Sequence, residues 1–442
     1  MNRDVIIVGG GFSGLAAGVQ LAKAGYSPLV LERRQSLGGR AFSFTHNETG
    51  DTVDNGQHVL MQCCDAVTEF LHTIESEAVH FENRFSIPFI DNQGSTHCLD
   101  SPSWLPPTIG LFIAFLKFGP TTLKDALGLN RAAASYKTPP KGLSVSNWLD
   151  ETRQSDSIRN SFWHPLCISV MNAAPEVAPA RELVSVLFEA FTRPGGAHMG
   201  WSTVGLSNLY PKQAKSYIEG NGGEVRNGAT VTSLKRDESG IVLALRDDSA
   251  LTGSAVILSV PPPRVSELLK TMCPDLSDRL EAYTPSPILG INLWFDRPIL
   301  DKPFVGFLGY TIEWAFNKKI LFGPADQASP GHVTLVVSAS TDLLPESDET
   351  LVAIGLRDLR KAGLIGEDEE PIHSLIIHEK QATYLRPYAS NPIPAETKIP
   401  GLYLAGDWTD TGLPPTIEGA VRSGNRAAGL VIEQLETQKP RD

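Results

Sequence analysis

The sequence predicts a mixed α/β fold with a parallel sheet and enough chain for a second domain. Three observations support this fold class. Residues 4–32 run in the order strand, glycine-rich turn, helix, strand; residues 402–424 hold another apolar strand that enters a turn and a helix; and the segments between them carry much of the aromatic content. With 442 residues, 41% of them apolar, the chain is long enough for two domains.

The first element has the order of a turn that binds a dinucleotide. Val5–Val8 form a β-branched run suited to a buried parallel strand, and a second strand ends at Glu32. Gly9 permits the tight turn, Gly11 lets the backbone approach a pyrophosphate, and Gly14 allows the following helix to pack closely on the strand. The carboxylate of Glu32 is placed to accept hydrogen bonds from a ribose diol. Because all four parts occur together, the motif is more specific than its glycines alone.

Overall charge and cysteine content argue against several classes of protein. The formal net charge is −12 and no cluster of Lys and Arg occurs, so we expect no nucleic-acid-binding surface. The five cysteines are odd in number and show no C-x-x-C spacing, which predicts neither a disulfide framework nor a metal site. The amino-terminal residues lack a signal-peptide pattern, and no apolar run reaches the roughly 20 residues of a membrane span. We therefore predict a cytoplasmic protein.

Further glycines extend the first motif. Gly18 and Gly25 continue its spacing, and the segment SLGGR then supplies Gly38, Gly39 and Arg40. This extended pattern resembles the FAD-binding signature of the amine oxidase and carotenoid desaturase superfamily. The resemblance implies a Rossmann-type FAD-binding domain, with Arg40 and the two preceding glycines beside the pyrophosphate and the flavin.

The same resemblance gives the carboxyl-terminal turn a role. It implies that the end of the chain folds back onto the first domain, with Gly406 and Asp407 near the ribityl and phosphate region of FAD. A helix opening at Pro415–Ile417 would then direct its amino terminus at the isoalloxazine. Unpaired N–H groups at a helix start stabilise the negative charge that a reduced flavin carries. No second G-x-G-x-x-G is found for NAD(P)H, so we expect an external electron donor.

The resemblance also implies a division into domains and a set of cofactor contacts. The FAD-binding domain is predicted at residues 1–100, 206–274 and 386–442, and an amine oxidase-like substrate domain is inserted at 101–205 and 275–385. Val231 is expected against the adenine. The full set of predicted FAD contacts is Gly9, Gly11, Phe12, Ser13, Gly14, Glu32, Arg33, Gly38, Gly39, Arg40, Gly56, Gln57, His58, Val231, Gly406, Asp407, Pro415, Thr416 and Ile417.

Three stretches narrow the resemblance. DNGQHVL at 54–60, FWHPLCISVMNAAPE at 162–176 and AGDWTDTGLPPTIEGAVRSG at 405–424 are similar to the hydroxysqualene dehydroxylases, the squalene-associated flavoproteins of bacterial hopanoid pathways. His164 departs from that pattern, because an acidic residue is expected between the Trp and the Pro. The family's reaction, as the resemblance implies, removes an allylic hydroxyl from hydroxysqualene with reduced FAD and gives squalene and water.

This chemistry requires a proton donor, and the substrate requires access from a membrane. We predict His58 as the donor, because its loop should face the flavin, with Asp54 as the group that orients it. The alternative is that both residues are structural. A polyene of thirty carbons partitions into lipid, and residues 104–118 combine a Trp, an apolar run and Lys117. They are predicted either to touch the inner face of the membrane or to form a core helix.

Three other functions stay open at this point. A carotenoid or phytoene-type desaturase would pass electrons from its substrate to the flavin, the opposite direction. A flavin amine oxidase is a further enzymatic alternative. A prenyl-lipid escort protein of the same fold would have no redox chemistry, although it would have little use for Gly11, Gly14 and Glu32, which are all present.

Overall fold

The computed structural model of the chain describes residues 2–102, 104–323 and 328–438. Its strands are β1 (Asn2–Val8), β2 (Leu29–Glu32), β3 (Ser43–Thr45), β4 (Thr52–Asp54), β5 (Leu60–Met61), β6 (Val79–Phe81), β7 (Ser86–Asp91), β8 (Thr96–Asp100), β9 (Met199–Ser202), β10 (Glu224–Asn227), β11 (Val231–Asp237), β12 (Gly240–Leu245), β13 (Ala250–Leu258), β14 (Thr284–Phe295), β15 (Phe304–Leu308), β16 (Trp314–Asn317), β17 (Gly331–Ser338), β18 (His373–Leu385) and β19 (Leu402–Leu404).

The α-helices are α1 (Phe12–Lys23), α2 (Asp65–Thr73), α3 (Pro107–Lys117), α4 (Leu123–Ala133), α5 (Val145–Glu151), α6 (Asp156–Ile158), α7 (His164–Met171), α8 (Ala180–Phe191), α9 (Leu206–Leu209), α10 (Pro211–Gly220), α11 (Pro262–Leu269), α12 (Pro274–Glu281), α13 (Lys318–Phe322), α14 (Asp348–Lys361) and α15 (Ile417–Gln438). A π-helical turn, Arg159–Trp163, precedes α7.

The first sheet joins the two ends of the chain. Its strand order is β10-β2-β1-β13-β12-β11, and β19 pairs with β13 at the side. Strand β1 runs parallel to β2 and β13, and β19 runs parallel to β13. Parallel strands buried on both faces need continuous apolar residues, which β1 and β2 supply. The predicted mixed α/β fold is confirmed.

Helices α1 and α15 cross closely above this sheet. A Cβ atom added at Gly424 in α15 would lie 2.2 Å from the carbonyl oxygen of Ser13 in α1. No side chain fits that distance, so only glycine allows the two backbones to approach. The carboxyl-terminal helix is thereby held directly beside the glycine-rich turn.

The second sheet presents one face to a helix and the other to the interior of the molecule. Its order is β18-β14-β17-β16-β15-β7-β8. Leu289, Ile291 and Leu335 pack with buried residues of α14 on the outer side. The opposite side, here called the inner face, carries Ile288 and Val336 among its apolar residues, together with Trp314 and Phe316.

The strands of the two sheets can be compared with the predicted domain boundaries. All strands of the first sheet fall within the ranges predicted for FAD binding. Strands β7 and β8, which that prediction placed in the same domain, pair instead within the second sheet, where β7 runs parallel to β15. We therefore propose that the first segment of the FAD domain ends before Ser86; the rest of the division stays a prediction.

Candidate functional site

The glycine-rich turn is shaped by close backbone contacts. Gly9 has a φ of +116°, and a Cβ there would lie 2.7 Å from the carbonyl oxygen of Ser259. A Cβ at Gly14 would lie 2.0 Å from the carbonyl oxygen of Gly9. Gly11 differs, because an added Cβ would have no neighbour nearer than Gly39 Cα at 3.7 Å. The turn is closed on the strand side and open at Gly11, as a pyrophosphate cradle requires.

Polar groups around the turn fit a bound dinucleotide. Glu32 is 6% exposed, and its carboxylate accepts hydrogen bonds from the backbone N–H of Gly10 and of Arg34, both at 2.8 Å. Ser13 Oγ is buried and has no hydrogen-bond partner among the described residues. A buried hydroxyl at the start of a helix is unusual without a partner. A phosphate oxygen at the helix amino terminus would supply one.

The second glycine pair packs against the same turn. Gly38 N–H donates to the carbonyl oxygen of Gly10 at 2.9 Å, and the hydroxyl of Tyr210 donates to the carbonyl oxygen of Gly38 at 2.7 Å. The ring of Tyr210 stacks on Phe12 with centroids 3.6 Å apart. Arg40 reaches further and pairs with Asp407 at 2.5 Å. The predicted amino-terminal and carboxyl-terminal cofactor residues therefore meet through Arg40 and Asp407.

The carboxyl-terminal turn is held by its own helix. Gly406 has a φ of +149°, and its N–H donates to Ser423 Oγ of α15 at 2.9 Å. Thr416 Oγ1 accepts from the N–H of Gly419 at 3.1 Å, which caps the first turn of α15. Pro415, Thr416 and Ile417 are all partly exposed at this helix start. Such exposure leaves room for a ligand there.

The remaining predicted contacts lie at the edges of this site. Val231 is buried at the start of β11, and its carbonyl oxygen accepts from Arg264 at 2.6 Å. Ala229, two residues earlier, donates its N–H to the carbonyl oxygen of Glu32 at 2.9 Å, so this segment lies beside the end of β2. Arg33 is exposed.

Residues 54–60 connect the turn region to the inner face of the second sheet. The side-chain amide of Asn55 donates to the carbonyl oxygen of Arg40 at 2.9 Å and to Glu379 of β18 at 3.1 Å. Gln57, His58 and Val59 are partly exposed, and Val59 packs with the apolar residues of the inner face. The loop thus lies between the candidate cofactor site and an aromatic-rich surface.

The contacts of His58 and Asp54 differ from those we expected. His58 Nδ1 is 2.8 Å from the carbonyl oxygen of Gly56, whereas the carboxylate of Asp54 accepts from Leu206 N–H at 3.0 Å and Lys318 Nζ at 2.9 Å. Asp54 is therefore engaged elsewhere and does not orient His58 by a hydrogen bond. Burial lowers the pKa of His58, although its bond to Gly56 opposes that shift. We expected a protonated ring, and this direction favours the neutral one.

Lys318 is a buried residue that sequence reasoning missed. Its side chain is 1% exposed, lies 4.0 Å above the ring of Phe322, and donates to both Asp54 and Gln57 at 2.9 Å. Lys318 begins α13 after a strand of the second sheet, so the ion pair fastens the loop to that sheet. In the sequence it stands beside Lys319, which is exposed, and nothing in their spacing distinguishes them.

Residues 104–118, singled out in the sequence as an apolar segment, contain a helix and have two different sides. Trp104 is 81% exposed, and Ile109 and Leu116 are exposed on α3, whereas Phe115 is fully buried. The segment therefore has both an exposed apolar side and a core side.

His164 is partly exposed, and burial lowers the pKa of its ring. Among the residues that the structure describes, no group of acidic, His and Cys side chains has the arrangement of a metal site.

Sequence comparisons place the chain among known proteins. The profile of a family described as flavin containing amine oxidoreductase matches residues 12–432. Hydroxysqualene dehydroxylase of Rhodopseudomonas palustris is 30% identical over 441 residues, which cover 98% of this chain and 99% of the relative. The Sinorhizobium fredii protein of the same name is also 30% identical, covering 99% and 100%. A 15-cis-phytoene desaturase of Capsicum annuum is 22% identical, covering 98% of this chain and 78% of its own.

Solved structures agree on the fold. An oxidoreductase from Methanosarcina mazei superposes with a TM-score of 0.76 at 18% identity, covering 99% of this chain and 100% of its own. Putrescine oxidase bound to putrescine superposes with a TM-score of 0.74, also at 18% identity, covering 98% and 99%. At this identity the likeness shows a shared fold.

Proposed function

The chain belongs to the flavin containing amine oxidoreductases and, within them, to the hydroxysqualene dehydroxylases, and on that premise we propose that it removes the allylic hydroxyl of hydroxysqualene to give squalene. It is an FAD-dependent oxidoreductase. Family membership as an enzyme leaves the escort-protein alternative without support. Amine oxidation is also less favoured, because the relatives at 30% identity are dehydroxylases.

The observation that carries this proposal is the position of residues 54–60. They lie against Arg40 on one side and pack Val59 into the inner face on the other. That face carries Ile288 and Phe316, and Val336 beside them, all apolar. A polyene needs such a surface next to the cofactor, since a water-free wall shields a cationic intermediate from premature capture. We assign to FAD the predicted contacts Gly9, Gly11–Gly14, Glu32, Gly38–Arg40 and Gly406–Asp407.

The reaction divides between cofactor and protein. When bound, reduced FAD supplies the hydride that replaces the hydroxyl group. The protein's residues bind the polyene, exclude water and deliver a proton to the departing oxygen. Positive charge at the start of α15 would favour the reduced, anionic flavin.

An anaerobic experiment tests the assignment. The purified holoenzyme is reduced with light or dithionite and mixed with hydroxysqualene, while the flavin absorbance is followed and products are extracted. We expect flavin reoxidation together with one squalene per flavin. Reduced enzyme that stays reduced in the presence of hydroxysqualene would contradict the proposal.

Phytoene-type desaturation is the second candidate, because the Capsicum annuum desaturase also matches over 98% of this chain. The direction of electron flow separates the two. A desaturase would bleach its oxidised flavin on mixing with a polyene and produce new double bonds. A dehydroxylase would leave oxidised flavin unchanged under the same conditions.

We further propose that the protein works at the inner surface of a membrane while residing in the cytoplasm, with an external electron donor. Among the described residues, no helix is long and apolar enough to cross a bilayer. Helix α4 extends the exposed apolar side of the 104–118 segment with Leu123 and Leu127, and Lys117 and Lys124 lie alongside, exposed. Apolar side chains flanked by lysines suit a lipid interface with anionic headgroups.

Vesicle binding tests this contact. Substituting Leu123→Asp and Leu127→Asp should weaken binding to phosphatidylcholine–phosphatidylglycerol vesicles by about tenfold or more, because charge replaces apolar contact. Ile372→Asp is a matched control, since Ile372, immediately before β18, is 62% exposed, as Leu123 is. Equal vesicle binding by both variants would contradict the proposal. Phe115, being buried, is unsuitable for such a test.

A further inference from the structure

The side chain of Glu313 points toward the inner face because of a β-bulge. Strand β16 begins at Trp314, which pairs with Val336 of β17. The backbone N–H of Glu313 also bonds to the carbonyl oxygen of Val336, at 3.0 Å. Two consecutive residues thus oppose one, which is the arrangement of a bulge, and bulges redirect side chains at functional sites. Ile312 and Ala315 on either side point into the outer core.

The bulge places Glu313 beside the aromatic part of the inner face. Its carboxylate accepts from the N–H of Ser338 at 2.9 Å, and Ser338 stands opposite Ile288 in the sheet. The neighbouring Trp314 packs with the inner-face cluster and donates its indole N–H to Ser169 of α7 at 2.8 Å. Glu313 and Trp314 are both partly exposed, so neither side chain is closed off completely by its neighbours.

No cation in the described part of the chain balances the charge of Glu313. Burial raises its pKa to about 7, and the hydrogen bonds from Ser338 oppose that shift only in part. No charged side chain of the described residues contributes to the shift. A carboxylic acid of this kind keeps its proton near neutral pH and can donate it.

We propose that Glu313 is the proton donor to the departing hydroxyl group. The inference rests on the proposed function, and it replaces His58 in that role. His58 is less suited because burial lowers the pKa of its ring. Glu313 instead combines access to the apolar face, a fixed carboxyl orientation and the absence of a paired cation.

The proposed step balances as follows. The Glu313 carboxyl transfers its proton to the hydroxyl oxygen as the allylic carbon–oxygen bond breaks, and water departs with the bonding electrons. Reduced FAD, when bound, would supply the hydride for the new carbon–hydrogen bond. Glu313 is left as a carboxylate and regains its proton from solvent before the next turnover.

Substitution Glu313→Gln tests the role, because glutamine keeps the shape and the acceptor for Ser338 but cannot donate a proton of this acidity. Single-turnover reduction of hydroxysqualene should slow by about 10²- to 10⁴-fold, the usual contribution of general acid catalysis. The acetate ester of hydroxysqualene provides the decisive comparison. Acetate leaves without protonation, so the ester should react at similar rates in both enzymes. Glu433→Gln, on the exposed side of α15, is the control.

The rates of Glu313→Gln on the alcohol and on the ester distinguish a proton donor from a structural residue. Full activity of Glu313→Gln on hydroxysqualene overturns the inference, and so does an equal loss on the alcohol and the ester, which would indicate a structural role. Failure of the wild-type enzyme on hydroxysqualene contradicts the proposed function instead. If the variant does not fold, the wild-type rate decides: it should fall as pH rises through about 7. A rate that rises over that range would overturn the inference.

Discussion

Asp54 and Glu313 are both acidic side chains in the space around the inner face, yet their surroundings are opposite. Asp54 is 8% exposed and has the ammonium group of Lys318 at 2.9 Å and the N–H of Leu206 at 3.0 Å. Glu313 has hydrogen bonds from Ser338, and no charged side chain among the described residues pairs with it. The charge of Asp54 is balanced by an ammonium partner, whereas burial favours the protonated form of Glu313.

This difference separates a structural acid from a chemical one. A buried ion pair fixes the positions of its two side chains. Neutralising one of them costs free energy, because the other charge would then be buried without a counter-charge. An unpaired buried carboxyl exchanges its proton near neutral pH. The pair of Asp54 and Lys318 therefore positions the loop at 54–60, while Glu313 is available for proton transfer.

The largest effect is expected from breaking the ion pair. Substituting Lys318→Met should lower the free energy of unfolding by about 3–5 kcal/mol, because Asp54 would remain buried without a counter-charge. Denaturant titration of the flavin-loaded protein measures this loss. Flavin release at lower denaturant concentration should accompany it, since the loop also contacts Arg40 through Asn55.

A double substitution sharpens the test. Lys318→Met combined with Asp54→Asn removes both charges, so most of the lost stability should return, with a coupling energy of a few kcal/mol in the cycle. If the double variant instead lost the sum of the two single-variant stability losses, the two residues would contribute independently. Glu313→Gln in the same assay should cost far less, because it removes no charge from a neutral site.

The sequence identifies the first sheet better than the inner face for a physical reason. At Gly9 and Gly14 the turn geometry has local causes, because Gly9 adopts a φ of +116° and a Cβ at Gly14 would lie 2.0 Å from the carbonyl oxygen of Gly9. The same holds for the turn at Gly406. The fold class and the meeting of the chain ends follow from these local motifs together with the family resemblance.

The burial of Lys318 and the inward orientation of Glu313 could not be predicted from local motifs. Lys318 becomes buried only when residues 264 positions earlier, at Asp54, pack against it. Glu313 faces inward because of a bulge, and strand alternation alone would have assigned it the face opposite to Trp314. Both features depend on long-range packing between the sheets. The same dependence explains why the sequence does not show that Asp54 pairs with Lys318.

A second, smaller effect concerns pH and stability. In the unfolded chain Glu313 ionises near 4.5, and in the folded protein near 7, so between these values the folded state binds more protons. Stability from this residue is therefore present at low pH and lost as pH rises toward 7. At about 1.4 kcal/mol per pKa unit, the loss amounts to at most about 4 kcal/mol.

Thermal unfolding across pH 5 to 8 checks this sign. The difference in stability between wild type and Glu313→Gln should shift in favour of the variant as pH rises, because glutamine does not ionise. Glu433→Gln, which removes an exposed carboxyl group on α15, is the control. A constant difference between wild type and Glu313→Gln across the range would show that Glu313 is ionised throughout.

The smallest effect is expected at Ser338. Its hydrogen bonds stabilise the ionised form of Glu313 and so oppose the effect of burial on the pKa. Ser338→Ala keeps the backbone N–H donor but removes the hydroxyl, so the pKa of Glu313 should rise further. The midpoint of the decline in single-turnover rate with pH should move upward, with little change in the rate at low pH. A downward move would mean that the hydroxyl stabilises the protonated carboxyl, and that Glu313 is held neutral by Ser338 as well as by burial.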